Sequence, residues 1–438
     1  VDYTARLRGI IRDFALTKGG TFVVLSEDTI FVKMLQSALI KQLAIPQFHV
    51  NFVKGIEALM GQLPICDVKG ATPFVIIEQI LHGRRHDQYV KKIKEQAPNC
   101  KIIVLANEIT RDSLALLYEL GADNTIVKPL SINTLVEKIA NAIEPPARLG
   151  KLMDQARQLL TDGNAHAALS VTDSILAIKP DSATGLMLRG DALRDLGQHN
   201  EAILQYQQAM DTAQLFVAPV QRLAEHYATL GDTKRELHYL QKLDALSPLN
   251  YERKIDLGKA SLVMGLQDSA HKYLDDAVRI AGQGDSRLLS DAASKLARAC
   301  MEQYPEACER HLRTIVDMGG NAPVAAIADI WNRLGISLRR QGRWADAVAE
   351  YGKAIQRVPN DENLHFNKAL AEADGQQYIA AADSLVNAIR INPAFGKQDA
   401  AVAARIGRIF QLAGDKDKAK EYTALSHELD IQRIQGPK

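Results

Sequence analysis

Residues 328–361, ADIWNRLGISLRRQGRWADAVAEYGKAIQRVPND, carry two helical stretches with a turn at Gly342 between them and Pro359 near the end. Trp331, Leu334, Gly335 and Leu338 mark the apolar or close-packed face of the first stretch, and Ala347, Tyr351 and Ala354 that of the second. Spacings of three and four residues describe one side of an α-helix, and a glycine between two such stretches supplies the backbone freedom of a tight reversal. The same unit recurs upstream, where Gly163, Gly197, Gly231 and Gly265 stand 34 residues apart. Ala168, Ala202, Glu236 and Ala270 keep the phase five residues after each glycine. Thr172, Tyr206, Leu240 and Leu274 follow, and Ile175, Ala209, Leu243 and Ala277 complete the face. Four contiguous units of 34 residues therefore fill 149–284.

Looser units continue the series. One lies around 288–321, with Ala307, His311 and Thr314 in phase; one at 362–395 has Ala369, Ala381, Leu385, Ala388 and Pro393; a last one at 400–433 has Gly407, Gly414 and Ala419. In the unit at 362–395 the turn glycine, Gly375, comes one residue early, and insertions at 285–287, 322–327 and 396–399 are the expected points of bending. With the W-x2-L-G form written out at Trp331 to Gly335, residues 149–433 resemble tetratricopeptide repeats, about eight units in all. Small residues at the eighth and twentieth positions let helices approach, while larger ones at the fourth, eleventh and twenty-fourth fill the gaps. No hairpin of this kind buries its face alone, so stacking makes the core and leaves an extended concave surface.

The resemblance places first-helix residues on that inner surface: Met187, Asp191 and Arg194, then Gln221 and Glu225, then Glu252, Ile255, Lys259 and Leu262, and later Asn332, Ile336, Arg339 and Arg340. The ordered Lys and Asn residues with which some relatives grip a peptide carboxylate are absent. The mixed row suggests an extended or helical protein segment held by apolar contacts between hydrogen bonds. Arg194, Glu225, Lys259, Asn332, Ile336, Arg339 and Arg340 are the candidate partner contacts, the last two for an acidic partner. Trp331 sits at a structural position and is expected in the core.

The character of the chain changes at 144–148, EPPAR, where two prolines end one element and permit another. Upstream, the runs FVVL (22–25), FHVNFV (48–53), FVII (74–77), KIIVLA (101–106) and NTIV (124–127) alternate with amphipathic segments. That pattern predicts a five-stranded α/β domain over 21–143, and runs without polar alternation predict inner strands of a parallel sheet covered on both faces. Residues 1–20 read as a helical extension ended by Gly19 and Gly20, and 434–438 as a tail.

The stretch VVLSED (23–28), the third strand ending at Glu78, IIVLA (102–106), Gly121-Ala122 and Lys128-Pro129-Leu130 make this domain similar to response-regulator receivers. An active receiver holds Mg2+ with two acidic residues after the first strand and a phosphoacceptor aspartate after the third, while a lysine and a Ser or Thr contact the phosphoryl group; charge accumulating on its oxygens needs that cluster. The matching positions here are Ser26 and Glu27, Glu78, Leu105 and Lys128. One metal-binding charge is missing, the acceptor is one methylene longer, and Leu105 has no donor. Thr125 stands where an aromatic switch residue is often found. The resemblance therefore implies a degenerate receiver without normal aspartyl phosphorylation, cofactor or metal. Two subordinate readings are a Glu78–Lys128 pair that holds a switched conformation, incompletely because Leu105 cannot hydrogen bond, and weak Mg2+ collection by Asp28 or Glu27 with Glu78.

Across 438 residues, 53 Lys and Arg against 52 Asp and Glu give a net charge of +1, which argues against a surface built for nucleic acid. Four isolated cysteines suit a reducing compartment, and no run of about 20 apolar residues predicts a membrane span or signal peptide; the expected location is cytoplasmic. No Walker A motif, dinucleotide-binding loop or zinc cluster is present. HGRRH (82–86) reads as a solvated loop with Arg84 and Arg85 as partner contacts, and a catalytic pair of Cys308 and His311 would also require an orienting residue and a pocket. The expected function is a noncatalytic adaptor in bacterial two-component signalling. Its expected partners are a histidine kinase, a phosphotransfer domain or another response regulator, with a protein segment in the repeat groove. The alternatives are a phosphorylatable regulator and a structural dimerisation cap pairing through 111–120 and 131–143.

Overall fold

The computed structural model describes residues 3–68, 70–144, 148–213, 216–318 and 324–435. Pro145, Pro146 and Ala147 of the expected linker, residues 322–323 of one insertion and 436–438 of the tail lie outside them. The chain divides into two compact units, Val1–Arg253 and Lys254–Lys438, so the division falls inside the repeats and not at the prolines.

The first unit opens with α1 (Tyr3–Leu16), β1 (Thr21–Leu25), α2 (Thr29–Gln36), β2 (Val50–Val53), α3 (Ile56–Val68) and β3 (Pro73–Glu78). A short hairpin, β4 (Ile80–Leu81) and β5 (Arg84–Arg85), leads to α4 (Tyr89–Gln96), β6 (Lys101–Ala106), α5 (Arg111–Glu119), β7 (Asn124–Val127) and α6 (Ile132–Ile143). The five long strands run parallel in the order β2-β1-β3-β6-β7, a receiver-like topology. All six residues of β3 are buried, as a central strand covered on both faces requires.

Helix α1 belongs to this core and does not stand apart as an extension. Leu7, Ile11, Phe14 and Ala15 fall on one helical face and pack with Phe22, Phe74, Leu135 and Ile139. Phe14 meets Phe22 and Phe74 edge-on at centroid distances of 5.6 and 6.0 Å. Its ring also explains Gly20, where a Cβ would lie 2.2 Å from Phe14 Cε1.

The stretch HGRRH is exposed from His82 to Arg84, as a solvated loop would be, but it forms an ordered hairpin. His82 (φ 49°) and Gly83 (φ 74°) both take left-handed backbone, the conformation a two-residue hairpin turn demands, and Ile80 pairs with Arg85 and Leu81 with Arg84. His86 and Asp87 behind the turn are buried.

The helical part begins with α7 (Arg148–Thr161), α8 (Ala165–Ile178), α9 (Ala183–Asp195), α10 (His199–Thr212), α11 (Val217–Thr229) and α12 (Thr233–Leu246). Helix α13 (Tyr251–Val263) spans the boundary between the units. The second unit continues with α14 (Gln267–Ala281), α15 (Ser286–Cys300), α16 (Pro305–Met318), α17 (Val324–Arg340), α18 (Trp344–Arg357), α19 (Glu362–Asp374), α20 (Tyr378–Ile391), α21 (Ala400–Ala413) and α22 (Lys416–Gln435). Position eight meets position twenty-four within a repeat: a Cβ on Gly190 would lie 2.5 Å from the Tyr206 ring, and one on Gly258 2.4 Å from Leu274.

The early glycine at 375 has a steric cause. Gly163, Gly197, Gly231, Gly265 and Gly342 turn with φ between 73° and 76°, and the residue 34 after Gly342 is Gln376, which takes φ 59°. The period thus holds in the backbone, although the glycine has moved. At 375 a Cβ would strike the Trp344 ring at 2.4 Å, so that position needs glycine for space. Left-handed backbone costs a side-chain-bearing residue roughly 1–2 kcal/mol. Gln376→Gly should therefore raise the urea midpoint, by about 1 kcal/mol of stability, whereas Gly375→Ala should lower it by about 1–3 kcal/mol through overpacking.

Candidate functional site

Strand ends carry the expected site. Ser26 follows β1, Glu78 ends β3, Leu105 lies beside it in β6, and Lys128 follows β7, with Glu78 and Leu105 in direct register. Ser26 Oγ donates to Glu78 Oε1 at 2.8 Å, and Lys128 Nζ donates to the same oxygen at 2.8 Å and to Asp28 Oδ2 at 3.1 Å. Asp28 Oδ1 accepts from the backbone N–H groups of Ile30 and Phe31 at 2.9 and 3.0 Å, capping α2. The Phe31 N–H foremost, with Lys128 adding, holds the Asp28 carboxyl below its ordinary range. Burial disfavours the Lys128 charge, but its hydrogen bonds to Glu78 and Asp28 outweigh that and raise the ammonium pKa.

Glu27 is not part of this cluster. It turns towards the hairpin, where it pairs with the His82 ring and accepts the His82 N–H at 3.4 Å. Asp28 takes the lysine instead. Its signal in the sequence was capping, since an acidic residue stands directly before the apolar helix TIFV. A divalent cation does not fit the set: Asp28 uses both oxygens, Glu78 Oε1 already takes two donors, Ser26 is neutral, and the Lys128 ammonium bridges the carboxylates. Among the described residues no group of three or more His, Cys, Asp or Glu could hold a metal ion.

A second constellation joins the α/β domain to the repeats within the first unit. Glu119, at the end of α5, accepts from Ser247 Oγ at 2.8 Å and Asn250 Nδ2 at 2.9 Å and pairs with Arg253; the two charged side chains are 4% and 3% exposed. Asn250 Oδ1 meanwhile accepts from the N–H groups of Glu252 and Arg253, starting α13. Gln88 Nε2 donates to the Leu249 carbonyl at 3.1 Å, and Lys91 pairs with Glu252. Of the two segments expected to pair copies, α5 ends in this cluster and α6 packs one face under α1, while Tyr118 on α5 and Glu137 on α6 are exposed.

The hairpin arginines differ from each other. Arg84 is exposed, while Arg85 pairs with the buried Asp87 and reaches Ser113 Oγ on α5 at 3.3 Å. On the repeats, Arg194 binds Asp195 at 2.8 Å, and Asp191 is buried under Tyr206 OH at 2.9 Å and Arg222 Nε at 2.8 Å. Glu225 is exposed and accepts from Gln221 at 2.8 Å. Asn332 Oδ1 accepts from Asn367 at 2.8 Å, Ile336 is half-buried, and Arg339 reaches Asp374 at 2.8 Å. Lys259 is exposed, as is Arg340, which comes within 3.9 Å of Glu302. Met187, Ile255 and Leu262 are core residues, because the first helices also pack on their neighbours; Trp331 is buried as its position implies. Cys308 and His311 are buried too. Burial pushes the Cys308 thiol up to about 12, and His311 Nε2 faces His271 Nδ1 at 3.2 Å.

Family profiles described as tetratricopeptide repeat match residues 153–214 and 328–361. The helical part is built of tetratricopeptide repeats. A curated Drosophila melanogaster protein, the BBSome complex member BBS4 homolog, is 23% identical over 194 residues; the match covers 44% of this chain and 38% of that relative's length. Among solved structures, a tetratricopeptide repeat protein from Parabacteroides merdae is 15% identical, covering 60% of this chain and 98% of its own, with a TM-score of 0.34. YrrB, a TPR protein with an unusual peptide-binding site, is 17% identical over 43% of this chain and 93% of its own, with a TM-score of 0.27. Tetratricopeptide repeats are a non-catalytic scaffold that typically mediates protein–protein interaction. No helix among the described residues is long and apolar enough to cross a membrane.

Proposed function

We propose that this chain is a noncatalytic adaptor of a bacterial two-component pathway, acting in the cytoplasm. In this reading its α/β domain is a degenerate receiver that docks on a histidine kinase, a phosphotransfer domain or another response regulator, while the tetratricopeptide repeats hold a second protein. Occupying a surface that phosphotransfer partners share is enough to regulate them, without chemistry. The observation that carries the reading is Lys128 held between Glu78 and Asp28, beside the apolar Leu105. An in-line phosphoryl transfer needs an open acceptor oxygen and donors aimed at the developing charge. Here one oxygen of Glu78 takes bonds from Ser26 and Lys128, its side chain is one methylene longer than an aspartate, and the neighbouring donor position is a leucine.

Incubation of the purified chain with a small-molecule phosphodonor and Mg2+ tests this. No acid-labile label is expected on the natural protein. Stoichiometric label on Glu78 or Asp28 would replace the adaptor with a phosphorylatable regulator.

A further inference from the structure

Helices α10 and α12 and the end of α11 enclose an open groove of about 870 Å³. Ile203 and Leu204 of α10 form an apolar wall, and Leu204 is 56% exposed without an apolar cover. Behind it the rings of Tyr227 and Tyr239 stack 5.5 Å apart and nearly parallel, and both are buried. The opposite rim carries Lys234 and Arg235, and Lys242 follows them along the exposed side of α12 at helical spacing. The carboxylate lining the groove, Asp232, is already committed, since it caps α12 through the Arg235 N–H at 3.0 Å and comes within 3.5 Å of the Arg235 guanidinium.

We infer that this groove binds an acidic peptide segment that inserts one large apolar side chain against Leu204. The inference deepens the adaptor reading, naming a partner chemistry for the repeats, and stands apart from the row of first-helix residues. Charge complementarity argues for the acidic flanks: with Asp232 set against Arg235, Lys234 and the neighbouring Lys242 remain, and the lining holds no second acid. The apolar wall argues for the anchor, because exposed Leu204 recovers burial only against a hydrophobic group. Single-stranded nucleic acid would answer the charge but not the wall. Bases bind such sites by stacking on open aromatic faces. Here the two tyrosine rings cover each other, Arg235 lies 5.4 Å from the Tyr227 centroid and Lys242 5.7 Å from that of Tyr239.

The test is a selection of random dodecapeptides displayed on phage against the full chain, followed by fluorescence anisotropy with the selected peptides and with a labelled dodecamer of oligouridine. Selected peptides should share net negative charge and one Leu, Ile, Phe or Trp. Leu204→Asp and the pair Lys234→Glu with Lys242→Glu should each weaken their binding by about tenfold or more, with circular dichroism unchanged because all three side chains are exposed. Binding should also fall with added salt. Failure to select any peptide would overturn the proposal, as would oligouridine binding as tight as the peptides' and lost with the lysines. Peptides unaffected by Leu204→Asp would overturn this site while leaving the repeats as protein binders.

Discussion

Replacing Glu119 by Ala is expected to loosen the α/β domain from the repeats, at a cost of about 3–5 kcal/mol. The reason is what remains behind. Arg253 is 3% exposed and would keep its charge with only the more distant Asp244 carboxylate near it, and Ser247 Oγ and Asn250 Nδ2 would lose their acceptor. Asp244 Oδ1, 3.7 Å from Arg253 Nε, is too distant to take over as a hydrogen-bond partner. Since removing both charges also removes the penalty, Glu119→Leu with Arg253→Met should return most of the loss. Hydrogen exchange reads this locally: protection at 111–119 and 247–253 should fall sharply in the single variant and return in the double. Unchanged exchange in Glu119→Ala would mean that the ion pair does not hold the two parts together.

That contact was invisible in the sequence, and its separation explains why. Glu119 and Arg253 stand 134 positions apart, and each reads locally as one more surface charge on a helix. The 34-residue period was legible because every repeat solves the same local problem, so its glycines and alanines recur in phase. Strands such as FVVL and FVII were legible from unbroken β-branched runs. By contrast, the prolines at 145 and 146 punctuate the backbone but do not report which surfaces meet, and the compact unit extends past them to Arg253. Local rules failed where two demands met in one place. Gln376 took over a glycine's turn because Trp344 claimed the space at 375, and His82 with Gly83 folded back a stretch whose charge suggested solvent. At the strand ends the position of Glu78 and Lys128 was readable from strand order. Which acid would face the lysine was not, since Glu27 and Asp28 are adjacent and only the start of α2 decides between them.

The same competition between space and backbone preference gives two glycines of one repeat opposite responses to a methyl group. Gly335→Ala should destabilise the second unit by about 1–3 kcal/mol, because the new Cβ would sit 2.5 Å from Cζ and 2.6 Å from Cε1 of Tyr351. That ring is fully buried and has no room to swing, so the roughly 1 kcal/mol that alanine gains over glycine in a helix is outweighed. Gly352, next to Tyr351 in α18, has nothing within 4 Å of its missing Cβ. Gly352→Ala should therefore raise stability by about 0.5–1 kcal/mol. The following repeat supplies the compensating pair, since Ala369 and Leu385 occupy the positions of Gly335 and Tyr351 and share a core cluster. Gly335→Ala with Tyr351→Leu should accordingly be more stable than the sum of the two single changes predicts, a coupling measurable by a double-mutant cycle in urea. Strict additivity would show that the eighth and twenty-fourth positions are chosen separately, and the small-against-large packing rule of the whole array would lose its physical basis.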